Sequence, residues 1–469
     1  MEYVGKTVLV AGAGLSGIAA ARFLLGRGAR VVLSDSKKRE DLEPGVSGLL
    51  ESVARASGKL ILELGGNRNE SFAAADLVVV SPGMPLSLPF FETSRKAGVP
   101  VIAEIELAYR HLKGKVIGVT GSNGKTTTTT LTTELLRGAG LKAHAAGNIG
   151  TPLIGFAEES TTDDIYVVEL SSFQLEAVSA FRPFAAALLN LTPDHMDRYK
   201  GFEEYAAAKA RIFMNQTVDD FAVLNADDPR TAALIDSVRA RAMLFCRTGE
   251  VSSGVFVHNN CVLFRSENGE KKLFPVDAVQ IKGAHNIENV LASSLLAIAA
   301  GAAPESLEEG IRKFHGVEHR LEYVASIDGV AYYNDSKATN VDAVIKALES
   351  FAGGIHLIAG GYDKDGDFTL LRPLIEKRAK QLILIGDAAE KMCLALSGAT
   401  EICRADSLPE AVSLGQASAK PGDVVLLAPA CASFDMFENY EHRGRKFKET
   451  VLNLAEEFNY PGSVKTAPR

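Results

Sequence analysis

The chain has 469 residues, 46% of them hydrophobic, with 50 Lys and Arg against 58 Asp and Glu and a formal net charge of −8. Length and apolar content suit about three ordinary domains, each with its own core, and an acidic balance without a basic block or arginine-rich stripe argues against a nucleic-acid surface. No run of about 18 apolar residues occurs and a strand-like segment opens almost at once, so neither a membrane span nor a signal peptide is expected and the cytoplasm is the expected compartment.

Residues 6–11 (Lys-Thr-Val-Leu-Val-Ala) read as a buried strand, followed by Gly12-Ala-Gly14-Leu-Ser-Gly17, a helical run to Leu25, and a second strand over Ala29–Asp35. This is a βαβ unit. Leu77–Val80, broken by Ser81-Pro82-Gly83, and Val99–Ile102 continue the pattern, so residues 1–111 read as a small doubly wound, Rossmann-like domain. Gly12-x-Gly14-x-x-Gly17 with Asp35 at the end of the next strand satisfies the dinucleotide fingerprint, which would suit NAD. The same geometry serves any pyrophosphate, because it supplies close backbone approach and a helix N-terminus. A uridine or similar nucleotide diphosphate is the preferred ligand here, with NAD and an unliganded tight turn as the alternatives.

A second round begins at Lys115. Val116-Ile-Gly-Val-Thr-Gly-Ser-Asn-Gly-Lys-Thr-Thr runs an apolar strand into a glycine turn, a lysine and two hydroxyls. Gly121 and Gly124 let successive backbone N–H groups of Ser122, Asn123 and their neighbours face an anion. Lys125 adds a point charge, the following helix aims its positive end at the same place, and Thr126 can place its hydroxyl on Mg²⁺, with Thr127 beside it. The strict G-x-x-x-x-G-K-[ST] loop would need glycine at position 119, where this chain has Val119, so the loop is a contracted one. Ile165–Leu170, Ala185–Asn190 and Ala222–Asn225 read as further strands, and Val255–His258 with Cys261–Phe264 as an antiparallel hairpin at the sheet edge. This central domain spans residues 112–317 and has a mainly parallel sheet.

Glu169 ends a strand expected to lie parallel to the phosphate-loop strand, where its carboxylate would reach the same crevice and bind a metal; the alternative is a solvated strand-end glutamate. His195, in Thr-Pro-Asp-His-Met-Asp, is either a loop hydrogen-bonder or a ligand of a second Mg²⁺ or Mn²⁺. Lys209, in Glu203-Glu-Tyr-Ala-Ala-Ala-Lys, reads from the residues alone as an ordinary lysine on a solvated helix face.

A third α/β round follows His319-Arg320, with strands at Tyr323–Ile327, Val330–Asn334, Ile355–Ala359, Gln381–Ile385 and Asp423–Leu427, giving a second Rossmann-like domain over 318–469. The tail Pro461–Arg469 is polar and expected to be mobile. The five cysteines, Cys246, Cys261, Cys393, Cys403 and Cys431, are odd in number and lack C-x-x-C spacing, which speaks against a disulfide frame or thiolate metal site and predicts mostly buried thiols.

Thr120–Thr126, Gly147-Asn-Ile-Gly, Glu169-Leu-Ser-Ser-Phe-Gln-Leu-Glu, Asn190–Arg198, Ala208-Lys209-Ala-Arg, Gly283-Ala-His-Asn286, His319-Arg320 and Asn334–Asn340 occur in the order found in the Mur ligases, and the chain resembles that family from Gly12 to Phe447. The resemblance implies ATP-driven joining of a carboxylate to an amine through an acyl phosphate, in synthesis of the peptide stem of bacterial cell-wall peptidoglycan. Asn334–Asn340 with Leu427-Ala-Pro-Ala-Cys-Ala-Ser-Phe-Asp is similar to the members that add D-glutamate to UDP-N-acetylmuramoyl-L-alanine; a sister ligase or a folylpolyglutamate synthase is the alternative. It further implies that Lys209 is a carbamate that binds metal, and that Asn286, Arg320 and Asp335 contact ATP. Lys337 and Thr339 would reach the incoming glutamate or the phosphates. Leu15, Ser16, Asp35, Ser36, Lys37, Ser81 and Gly83 would hold the UDP end, Lys37 standing where an arginine is expected. Asn148 would hold the sugar or peptide part, and Lys364, Ser433, Phe434 and Tyr440 the D-glutamate, with core packing as the other reading of Phe434. ATP and two Mg²⁺ sites are the implied cofactors, closure of the third domain is expected to assemble the site, and a monomer is expected.

Overall fold

The structure, a computed structural model, describes residues 3–42, 48, 50, 51, 53, 59–196 and 198–459; the segment 461–469 lies outside them. The chain forms two compact units, Met1–Ala278 with Glu288–Ile311, and Val279–Ile287 with Arg312–Arg469. Among the described residues no helix is long and apolar enough to cross a membrane.

The first unit holds two sheets. Strands β1 (Thr7–Ala11), β2 (Arg30–Asp35), β3 (Leu60–Leu64), β4 (Leu77–Val80) and β5 (Val101–Ala103) lie in the order β3-β2-β1-β4-β5, all parallel. Parallel strands are covered on both faces, which is why Val8–Ala11 of β1 and all of β4 are unbroken apolar runs rather than alternating ones. The order reverses between β1 and β4, opening a crevice at their carboxyl ends.

The second sheet has nine strands: β6 (Lys115–Thr120), β7 (Lys142–Gly147), β8 (Asp164–Glu169), β9 (Ala185–Leu188), β10 (Phe221–Asn225), β11 (Arg241–Cys246), β12 (Gly254–His258), β13 (Cys261–Ser266) and β14 (Gly269–Pro275). Their order is β14-β13-β12-β11-β10-β9-β6-β8-β7, so β6 sits between β9 and β8 with a crevice at its carboxyl end. The expected hairpin exists, but β12 pairs parallel to β11, and a third strand, β14, forms the edge.

The two sheets share one apolar core. Polar ties reinforce it: the Ala103 N–H donates to the Ala177 carbonyl at 2.9 Å, and the Glu106 carboxylate accepts the backbone N–H groups of Ser179, Ala180 and Phe181. Glu104, in the same helix (Glu104–Tyr109), accepts the Ile154 N–H at 2.7 Å.

The second unit has a six-stranded sheet of β15 (Glu322–Ile327), β16 (Val330–Asn334), β17 (Ile355–Gly360), β18 (Ala379–Ile385), β19 (Glu401–Arg404) and β20 (Val424–Leu427), ordered β15-β16-β20-β17-β18-β19. β15 and β16 form an antiparallel hairpin closed by Asp328-Gly329, both with positive φ (49° and 76°), the backbone that a two-residue Asp-Gly turn requires. The other pairings are parallel. Only Cys246 and Cys431 are buried; Cys261, Cys393 and Cys403 are partly exposed, against the expectation of mostly buried thiols.

Candidate active site

The phosphate loop leaves β6 at Thr120 and enters the helix Lys125–Gly138. Gly124 is left-handed (φ 85°), and a Cβ built on it would lie 2.2 Å from Asn289 Oδ1, so both backbone and space demand glycine. The loop is braced from a neighbouring strand end: the Asn123 N–H donates to Asn190 Oδ1 at 2.9 Å, and Asn190 Nδ2 donates to the Asn123 carbonyl at 3.1 Å. Ser122 also serves as a brace, its hydroxyl donating to the Thr192 carbonyl at 2.8 Å and lying 3.0 Å from the Tyr205 hydroxyl. Neither Asn190, two residues past the end of β9, nor Tyr205, four residues before Lys209, is marked by its residue type as a brace of this loop.

In-register pairing sets Glu169 of β8 opposite Val119 of β6, directly beside the glycine turn. Glu169 is 1% exposed, so it is not a solvated strand-end glutamate. Its Oε1 accepts from Asn148 Nδ2 at 3.1 Å, and the Asn148 N–H donates to the Glu169 carbonyl at 2.9 Å. Asn148 is thereby fastened to the carboxylate.

Lys209 is the clearest departure from expectation. Its helix (Phe202–Ala210) turns it inward rather than toward solvent, leaving the residue 2% exposed. Its Nζ donates to the Gly121 carbonyl at 2.8 Å and stands 4.8 Å from the Tyr205 ring centre. Burial and the neighbouring Lys125 ammonium push its pKa well below the usual lysine range, with Asp194 and Glu169 acting in the opposite direction. Lys125 Nζ curls over the same turn, donating to the carbonyls of Gly121 and Ser122.

His195 has a positive φ of 56°, a backbone uncommon outside glycine, though histidine adopts it more readily than most residues. The Asp194 carboxylate accepts its N–H, the Phe173 ring packs edge-on at 4.8 Å from its imidazole, and the turn continues into Arg198.

Thr126 (4% exposed) and Glu169 offer oxygen donors of the kind a hard divalent cation takes, and the His195 imidazole a nitrogen donor that suits a softer one. Lys209 as an amine does not fit that set; as a carbamate it would add carboxylate oxygens.

In the first sheet, the Gly12 turn and the loop after β4 meet. A Cβ on Gly12 would lie 2.8 Å from Ser81 Cβ, and Ser81 Oγ donates to the Gly12 carbonyl at 3.1 Å. Both Asp35 oxygens accept backbone N–H groups, from Ala13 at 2.7 Å and Lys37 at 2.8 Å. Leu15, Lys37 and Gly83 are exposed, and Ser16 partly so.

In the second unit, Asp335 is 5% exposed at the end of β16, with Oδ1 accepting the Leu321 N–H. Burial raises its pKa to about 6 against the pull of Arg320 and that hydrogen bond. Asn286 is buried, its amide donating to the Lys282 carbonyl, and burial with Arg320 and Lys346 nearby holds His285 down to about 4. Lys337 Nζ lies 5.0 Å from the Tyr440 ring centre, and the Thr339 N–H donates to the Lys337 carbonyl. Ser433 is buried and Lys364 exposed. Phe434 is 72% exposed, which rules out core packing. Arg443, 1% exposed, was not anticipated: its guanidinium binds Ser336 and the carbonyls of Cys431 and Ala432, joining two of the motif loops.

Three family models cover most of the chain: the Mur ligase MurD-like N-terminal domain over residues 6–103, the Mur ligase middle domain over 119–297, and the Mur ligase glutamate ligase domain over 319–431. The UDP-N-acetylmuramoylalanine–D-glutamate ligase of Koribacter versatilis is 50% identical over 97% of this chain and 99% of its own. That of Acidobacterium capsulatum is 49% identical over 96% and 97%. Among solved structures, a pseudomurein peptide ligase type C from Methanothermus fervidus superposes with TM-score 0.61 at 18% identity, covering 96% of this chain and all of that one. A UDP-N-acetylmuramate–alanine ligase from Thermotoga maritima gives 0.59 at 19% identity, over 96% and 99%; likeness at that level speaks to the three-domain α/β fold. Sequence and fold agree that the chain belongs to the Mur ligase family.

Proposed function

We propose that the protein is an ATP-dependent ligase that joins D-glutamate to UDP-N-acetylmuramoyl-L-alanine through an acyl phosphate, a step in peptidoglycan precursor synthesis. The observation that carries the chemistry is the crevice at the carboxyl end of β6, where Lys125, Thr126 and buried Glu169 and Lys209 converge on one glycine turn. The amino acid is supported by near-full-length identity to relatives named as D-glutamate ligases.

The reaction brings a substrate carboxylate against a γ-phosphate, two anions, so fixed positive charge must stand between them. The turn's N–H groups and the helix N-terminus hold the triphosphate, and Lys125 swings from its carbonyl partners to the phosphates. Thr126, Glu169, His195 and a carbamate on Lys209 would hold Mg²⁺ at two sites, which supplies charge neutralisation at the transferring phosphoryl group. Asn286, Arg320 and Asp335 serve ATP, and Lys337, Thr339, Lys364, Ser433, Phe434 and Tyr440 serve the amino acid. Residues 1–111 act as a Rossmann-like UDP-sugar domain, 112–317 as a P-loop-type ATPase domain, and 318–469 as a second Rossmann-like domain, in a cytoplasmic monomer.

An NAD site at Gly12–Gly17 is disfavoured by Asp35, whose two oxygens are engaged by the Ala13 and Lys37 N–H groups rather than turned to a ribose. The deciding measurement is ADP release with UDP-N-acetylmuramoyl-L-alanine while amino acids are supplied one at a time. Turnover with D-glutamate alone is expected; a preference for L-alanine or meso-diaminopimelate would transfer the protein to a sister activity.

A further inference from the structure

We infer that Arg198 is a positioning residue that ties the loop anchoring the UDP-sugar to the turn carrying His195, and so sets where the substrate's reacting end is presented. The inference rests on the UDP-sugar reading of the first sheet. Arg198 belongs to the central sheet's connection, three residues after His195, yet its Nη1 donates to the Gly83 carbonyl at 2.8 Å and its Nη2 to the Met84 carbonyl at 3.2 Å, both in the loop after β4. That loop packs on the glycine turn: a Cβ on Gly12 would come within 3.4 Å of Met84 Sδ as well as against Ser81.

The same guanidinium is held by residues of the central sheet's own connections. Nη2 also pairs with Glu176 Oε2 at 3.1 Å, and Tyr199 donates its hydroxyl to the same carboxylate at 2.5 Å. The guanidinium lies over the Phe173 ring, 3.8 Å from its centre, and that ring meets the His195 imidazole edge-on at 4.8 Å. A continuous set of contacts therefore runs from Gly12 through Met84, Arg198 and Phe173 to His195. The side chain is only 12% exposed, so its geometry is not that of a loose surface ion pair. A planar fork can hold two adjacent carbonyls, a carboxylate and a ring face at once; a lysine ammonium in its place would keep charge and lose the fork.

The test compares the wild-type chain with Arg198→Ala and Arg198→Lys. Displacing a bound reactant by about 1 Å costs turnover rather than affinity, so Arg198→Ala is expected to lower kcat by roughly 10- to 100-fold while the calorimetric Kd for UDP-N-acetylmuramoyl-L-alanine stays within about 3-fold. Arg198→Lys should recover part of the loss, and it carries the measurement if the alanine variant does not fold. Hydrogen exchange gives a readout independent of ligation: UDP alone should protect residues 191–200 in the wild type and fail to do so in the variants. Unchanged kcat and unchanged protection in the variants, or a loss of affinity equal to the loss of kcat, overturns the tie. A wild type that binds UDP and relays protection yet forms no product with D-glutamate would refute the assigned activity and leave the tie standing; a wild type that does not bind UDP removes both.

Discussion

Lys125 and Lys209 donate to the same acceptor, the Gly121 carbonyl, each at 2.8 Å. Two ammonium groups on one carbonyl in a buried setting repel, and burial together with the Lys125 charge pushes the Lys209 pKa well below the usual lysine range. A neutral amine is the form that combines with CO₂. In CO₂-free buffer the enzyme should lose most of its turnover and regain it with bicarbonate, and ¹³C-bicarbonate should give a carbamate resonance absent from Lys209→Met. Full activity without any bicarbonate would dismiss the modification.

Gly124→Ala should damage ATP use selectively. Left-handed backbone alone costs an alanine about 1–2 kcal/mol, and the new methyl would collide with Asn289 Oδ1. A drop of about 5- to 30-fold in kcat/KM for ATP corresponds to that backbone cost at about 1.4 kcal/mol per decade, with the Kd for UDP-N-acetylmuramoyl-L-alanine unaltered. Equal loss at both sites would mean that the phosphate loop and the first glycine turn are not separate.

Asp335 predicts an acid limb. Its carboxyl is raised by burial to about 6, so the charged form that an ATP contact needs disappears as pH falls through that value. kcat/KM for ATP should decline below about pH 6, as for a group that must be ionised, whereas Asp335→Asn should be slow with that limb removed. An unchanged limb in the variant would assign it to another group.

Glu104 predicts pH-dependent stability with the opposite sense. Burial raises its carboxyl from 4.5 to about 7, opposed by the Ile154 N–H, and Oε2 has no hydrogen-bond partner among the described residues. A raised folded-state value means that the folded chain binds the extra proton: the contribution is fully present below pH 4.5 and is lost as pH rises through about 7. That difference amounts to on the order of 3 kcal/mol at pH 8. Denaturant melts of Glu104→Gln should match wild type near pH 4.5 and exceed it at pH 8; a constant offset across that range would show that Glu104 does not titrate in this window.

What the chain alone disclosed was local in origin. Apolar runs such as Val8–Ala11 and Val116–Val119 mark interior strands because parallel sheets bury both faces, and Gly121, Gly124 and Lys125 announce a phosphate loop because φ and charge are local demands. The weaker strands escaped for the same reason. β7, Lys-Ala-His-Ala-Ala-Gly, has little strand propensity, and β14, with Glu270, Lys271 and Lys272 exposed, is a polar edge.

Burial of Lys209, the bracing of Ser122 by Thr192 and Tyr205, and the reach of Arg198 to Gly83 were decided only by tertiary structure. Each depends on partners dozens of positions away, and a lysine on a helix carries no mark of which face its neighbours will cover. Residue type and spacing determined that this chain would make α/β layers and hold phosphates; which charged side chains lose their water, and so change their chemistry, was determined by how those layers packed.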